Sequence, residues 1–252
     1  MMCPDIHLDQ VSKDYGSTRV LDRLTLRFQP GTISCLLGRN GAGKTTTLRS
    51  IVGLTRPSAG RILIGGTDVQ DPRFRVERRR IGYLPEEPVL YGHLTGREFL
   101  RFIADLHGID GPGRAGVDSS IRELRLQGEA DTVLRKCSMG IRKRIAFLAA
   151  TIADPPILVL DEPTGALDAV SARIVKDVLC RERDRGRTIL FTTHVMEIAE
   201  RLADRVAILR SGQLRREGTP EALRAAEARR PGESLEDIFL RLTDPDGPEP
   251  RP

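Results

Sequence analysis

The stretch Leu36–Thr46, reading LLGRNGAGKTT, decides the fold. Gly38, Gly43, Lys44 and Thr45 fill the defined positions of GxxxxGK[ST], with Asn40, Gly41 and Ala42 inside the loop and Thr46 just beyond it. In that pattern a loop wraps its backbone N–H groups around phosphate oxygens and a lysine reaches the terminal ones. The setting is the one the pattern requires: residues 33–37 (ISCLL) read as a buried strand, and Thr45 to about Leu54 as a helix. The unpaired N–H groups and positive dipole end of that helix point at the same anion. The Thr45 hydroxyl suits Mg2+. Lysine is scarce, with only Lys13, Lys44, Lys136, Lys143 and Lys176 in the chain, so a lysine at the one position that demands it carries weight.

The 252 residues can bury one substantial core, or one core and a smaller lobe. Hydrophobic content of 39% and charged content of 30% suit a globular protein, and no apolar run nears the roughly 18 residues of a membrane span. The first ten residues carry acids and no apolar core, unlike a signal peptide. Cys3, Cys35, Cys137 and Cys180 lack CxxC spacing, which fits reduced cytoplasmic thiols and argues against a zinc site. A net charge of +5 would suit an acidic partner or surface. Arginine-rich composition is more often a solvated face, and no nucleic-acid partner is expected.

Outward from the loop, short strands are expected at 6–8 and 24–28, with Tyr15 in a loop ahead of the phosphate site. An aromatic there has two readings, a stacking platform for an adenine ring or a half-buried loop tyrosine. Strands follow at 61–64 and 81–84. From Thr95 to about Ala153 the chain reads as helices: Thr95-x-x-Glu98 is a capping box, Gly111-Pro112-Gly113 a break, 118–126 a helix, and Ser138 the cap of a longer one. On that longer helix Ile141, Ile145, Leu148, Ala149 and Ile152 form a buried face, with Arg142, Lys143 and Arg144 expected to face away. Residues 157–160 (ILVL) return to a buried parallel-type strand. A helix over 169–183, a strand over 188–191, a helix over 195–202 and a hairpin around Ser211-Gly212 follow. Beyond Ala225 only an amphipathic turn near Leu235–Leu242 breaks a polar tail with a disordered end.

Asp161 and Glu162 sit at the C-terminal end of a strand, the edge where open α/β sheets place their ligands. An aspartate there can hold Mg2+ through water, and a neighbouring glutamate can take a proton from attacking water. An acidic turn after a core strand would look the same.

The order of features is more specific. The phosphate loop, Cys137-Ser138-Met139-Gly140-Ile141 opening a helix, ILVLDEPTGALD and FTTHV resemble the nucleotide-binding domain of ATP-binding cassette (ABC) ATPases over about residues 6–218. The resemblance implies an α/β P-loop NTPase fold: a RecA-like core with an N-terminal antiparallel β lobe and an inserted helical lobe. It implies an ATPase domain over 1–224, with the insert at about 92–153, and a tail over 225–252. ATP and Mg2+ are the implied cofactors. Tyr15 resembles the adenine-stacking aromatic, Gly38 to Thr46 the Walker A loop, Asp161 the Walker B aspartate and Glu162 the general base. Ser138, Met139 and Gly140 occupy the signature, which acts on nucleotide held by the opposite subunit. Asp168 closes the D-loop, and His194 matches the switch histidine.

Two positions depart from the common pattern. Glu86 stands where most of the family has a metal-ligating glutamine and adds negative charge beside the phosphates, and Met139 and Ile141 replace a glycine and a glutamine. Both departures, with Arg142 and Arg144 and the ending SLEDIFLRLT, are similar to the ABC-2 export branch. The implied protein is the ATPase of an exporter, a head-to-tail homodimer with a separate transmembrane permease, peripheral on the cytoplasmic face of the plasma membrane. Leu90, Tyr91 and Leu94 are expected to contact that permease. A soluble ABC ATPase in cofactor assembly is the competing reading.

Overall fold

The computed structural model describes residues 3–109, 112–228 and 233–244. Its centre is a six-stranded sheet in the order β10-β9-β3-β8-β7-β6. The central strands are β3 (Thr32–Gly38), β8 (Thr188–Thr192) and β7 (Ile157–Leu160), flanked by β6 (Ile81–Leu84) and β9 (Arg205–Arg210). These five run parallel, and β10 (Gln213–Gly218) pairs antiparallel with β9.

Alternation along each strand sorts the sheet's two faces, because successive side chains point opposite ways. Ile33, Cys35, Leu37, Leu158, Leu160, Ile189 and Phe191 face one cluster, shared with helices. Leu36, Ile157, Val159 and Leu190 face a second cluster with the antiparallel sheet and α1 (Lys44–Ile51). Strands buried on both sides have no polar face, which is why residues 157–160 are apolar without a break. Each such Leu or Ile stabilises the fold by about 1.5–3 kcal/mol.

The second sheet, β2-β1-β4-β5, is antiparallel: β1 (Ile6–Tyr15), β2 (Thr18–Phe28), β4 (Ala59–Ile64) and β5 (Thr67–Asp68). The first two strands are longer than the sequence suggested. Tyr15 therefore ends a strand at a tight hairpin and does not lie in a loop. Bulges between Leu8, Val11 and Lys13 break the alternation that would have marked so long a strand.

Past the short helix α2 (Phe74–Glu77), which precedes β6, α3 (Gly96–Leu106), α4 (Pro112–Glu123) and α5 (Met139–Thr151) stand between β6 and β7. Thr95 and Glu98 form the reciprocal capping box, and the Ser138 hydroxyl accepts from the Ile141 N–H. The second helix begins earlier than residue 118, at Pro112, a residue suited to a first turn; Gly111 lies outside the described residues. On α5 none of the three cations expected to face away is exposed: Arg142 and Arg144 are half-buried, and Arg144 donates to the Leu124 carbonyl. Lys143 is buried, at 3% exposure, and so is Phe147, one turn further along the same face. The helix is enclosed nearly all round, so apolar spacing alone does not choose its solvent side.

After β7 come α6 (Ala169–Asp184) and α7 (Met196–Leu202), then α8 (Pro220–Glu227) and α9 (Leu235–Thr243). The sequence reading missed α8, capped by Thr219 with proline in its first turn; it spans the expected 224/225 boundary. The expected docking turn is α9, burying Leu235, Ile238 and Phe239. The expected disordered end falls largely outside the described residues.

Candidate nucleotide-binding site

The register of the parallel strands brings the distant motifs together. Leu36 of β3 pairs with Thr192 of β8, and Leu160 of β7 with Phe191, so the turns after all three strands open on one edge. A cavity of about 380 Å³ lies there, lined by Val20, Asn40 to Thr46, Glu86, Asp161, Glu162 and His194.

Its floor is the glycine loop. Gly41 and Gly43 hold φ of +79° and +103°, which side chains resist, and a Cβ on Gly43 would come within 3.0 Å of the Val20 carbonyl. Gly38 has an ordinary backbone but no room, since its Cβ would lie 2.8 Å from that of Ala42. Lys44 Nζ donates to the Gly38 and Arg39 carbonyls, at 2.7 and 3.3 Å, folded over its own loop.

The wall opposite carries the acids. The Thr192 hydroxyl donates to Asp161 Oδ1 at 2.5 Å and accepts the Glu162 N–H at 3.0 Å, fixing both at once. Asp161 Oδ2 is buried without a hydrogen-bond partner, as a carboxylate oxygen awaiting a cation or its water would be. Glu162 holds φ of +51°, a left-handed conformation rare for a side chain of this size. His194 Nδ1 reaches Glu162 Oε1 at 2.9 Å.

A phosphate cradle facing an acid pair and a histidine is a nucleotide-hydrolysing arrangement, and the ABC transporter family model matches residues 21–165. The chain belongs to the ABC transporter family. Over 223 residues it is 39% identical to the Nod factor export ATP-binding protein I of Paraburkholderia xenovorans (strain LB400), covering 88% of this chain and 73% of that one. A solved ATP-binding subunit of an ABC transporter superposes with a TM-score of 0.87 at 31% identity, over 94% of this chain and 98% of that one. A dimeric post-hydrolysis ATP-binding cassette bound to ADP and Pi shares the fold, with a TM-score of 0.77 at 24% identity, over 85% and 98%. The chain is thus the ATP-binding, ATP-hydrolysing component of a transporter, with export proteins among its relatives. Among the described residues no helix is long and apolar enough to cross a membrane.

Not every expected residue of this ABC ATPase reaches the cavity. Tyr15 stands at the exposed end of β1, 48% exposed, with Lys13 Nζ 4.9 Å from its ring centre, and is not among the lining residues. Val20, which the sequence reading did not single out, is among the lining residues. Only the pairing of β2 with the rest of the sheet carries it there, and no local motif marks it.

Ser138, Met139 and Gly140 also stand outside the cavity. Met139 is half exposed, and a Cβ on Gly140 would lie 3.0 Å from the Ala166 carbonyl. Asp168 caps α6, accepting from the Ser171 N–H and hydroxyl at 2.9 and 2.8 Å, and those bonds hold its carboxyl below the ordinary range.

Proposed function

We propose that this chain drives export as one of two identical ATPase subunits, arranged head to tail and attached to a separate transmembrane permease at the cytoplasmic face of the plasma membrane. The observation that carries the reading is the division of the motifs: the cradle, Asp161, Glu162 and His194 share one cavity, while Ser138 and Gly140 lie elsewhere on the surface. A second copy supplies Ser138, at the N-terminus of a capped helix, to the phosphates bound by the first.

Thr45, Asp161 and Glu86 would hold Mg2+, and the buried, unpartnered Asp161 Oδ2 fits that role. When bound, the ion neutralises phosphate charge. The chain's own residues do the rest. The loop N–H groups orient the terminal phosphate, Lys44 exchanges its carbonyl partners for phosphate oxygens, and Glu162 takes the proton of the attacking water. His194 holds the Glu162 carboxylate and reaches toward the transferred group.

The permease occupies an apolar groove of about 320 Å³ between the helical lobe and β6, lined in part by Pro85, Pro88, Val89, Leu90, Phe99 and Ile103. Tyr91, half exposed, stacks edge-on against Phe99 and Phe102 at the groove's margin. Leu90 and Leu94 are partly buried against the chain's own core.

The test is gentle solubilisation of native membranes carrying the tagged protein. Recovery with a stoichiometric polytopic membrane protein supports export. Recovery only from the soluble fraction, with an assembly partner or alone, sinks the transport role and leaves the ATPase.

A further inference from the structure

Lys143 is a buried cation that the sites described so far leave unused. It lies on α5, five residues beyond Ser138, and its Nζ donates to the Glu86 carbonyl at 2.6 Å and toward the Asp161 carbonyl at 3.4 Å. Burying an ammonium is costly unless its donors and charge are matched. Burial lowers the Lys143 pKa on balance, and the nearby acids Asp161, Glu162, Glu86 and Glu87 offset part of that effect, while the two carbonyls take its N–H donors.

What Lys143 holds is a segment with two faces. Glu86 lines the nucleotide cavity, while Pro85, Pro88, Val89 and Leu90 line the apolar groove. The bond to the Glu86 carbonyl therefore falls at the junction of the two. We propose that Lys143 is a positioning residue for ATP hydrolysis, pinning the Glu86–Leu90 segment and the Asp161 turn to α5, so that nucleotide in the cavity displaces the groove. The inference rests on the ATPase reading of the cavity and assigns a link within it.

The chain contains no tryptophan, and Val89 is 93% exposed, so V89W installs a single emitter at the groove with little packing cost. The expected result is that MgATP changes Trp emission when Lys143 is present, leaves it unchanged in K143M, and changes it again in K143R. Kinetics of the V89W-free chains give a second readout. K143M lowers kcat at least about tenfold while KM for ATP stays within about twofold, as loss of a charged hydrogen bond used in the transition state requires. K143R, which keeps charge and donors, recovers most of the rate. Circular dichroism verifies the fold of each variant.

An emission response that survives K143M overturns the proposal, as does a K143R enzyme no faster than K143M. So does a chain with Lys143 whose emission ignores MgATP that calorimetry shows to be bound. Absence of calorimetric MgATP binding by the unsubstituted chain would overturn the reading of the cavity, and the proposal with it.

Discussion

His194 Nδ1 lies 2.9 Å from Glu162 Oε1, though one residue follows β8 and the other β7. The glutamate is mostly buried and the histidine ring mostly exposed, with side-chain exposures of 11% and 70%. The ring therefore orients the acid from the solvent side. E162Q keeps the shape and loses the proton acceptor. Steady-state turnover should fall by about 10²–10⁴, with MgATP affinity retained and a stable dimer on size-exclusion chromatography. Turnover at the unsubstituted rate would remove Glu162 from the chemistry.

H194A leaves the Glu162 carboxylate in place without its orienting partner. The expected effect is a loss in kcat of about 10²-fold with a smaller change in KM. H194Q, which can still offer a hydrogen bond, should recover part of the rate. A parallel loss of nucleotide affinity would instead make His194 a binding residue.

Thr192 is fully buried and serves two residues with one hydroxyl, bonding Asp161 Oδ1 and the Glu162 N–H. T192V keeps the shape and orphans both. Urea unfolding should show a loss of about 1–3 kcal/mol. The Mg2+ requirement for hydrolysis should rise as well, because Asp161 is no longer fixed.

At Gly82 on β6 an added Cβ would meet the Ala150 carbonyl at 2.0 Å and the Leu158 Cδ2 at 2.8 Å. Backbone on one side and a core leucine on the other cannot both yield. G82A should cost about 3 kcal/mol, the upper end of ordinary overpacking, read as a lowered melting temperature. A neutral G82A would mean that α5 can shift away from the sheet.

The Asp168 cap is pH-dependent with a definite sign. Its folded pKa lies below the ordinary 3.8, first through the Ser171 N–H. The cap's contribution is therefore complete above that ordinary value and lost as pH falls through the lower folded one. The difference in melting temperature between the unsubstituted chain and D168A should be present at neutral pH and close in strong acid. A gap independent of pH would show that the carboxylate charge plays no part.

Local chemistry made much of this legible. The glycine loop, the apolar strand ending at Asp161, and the caps at Thr95 and Ser138 each carry their signal within a few residues. What stayed hidden depends on residues far away. Lys143 reads as a solvent-facing cation until Glu86 and Asp161 are folded against it. Val20 has no motif, and Tyr15 reads as a loop residue because bulges erase the alternation of its strand. The α8 helix was lost in a polar stretch whose cap and first-turn proline were available but whose buried face is little more than Leu223.

The strand order also has a temporal consequence. β3, β8 and β7 are neighbours in the sheet, yet Lys44 and His194 are separated by more than half the chain. A ribosome releases the phosphate loop long before the histidine, and chain that must wait for distant partners folds slowly. Cellular ATP can stabilise only conformations that already bind it. The nucleotide can therefore protect the finished subunit but not its early nascent forms, whose apolar β3 has to be shielded from aggregation by other means.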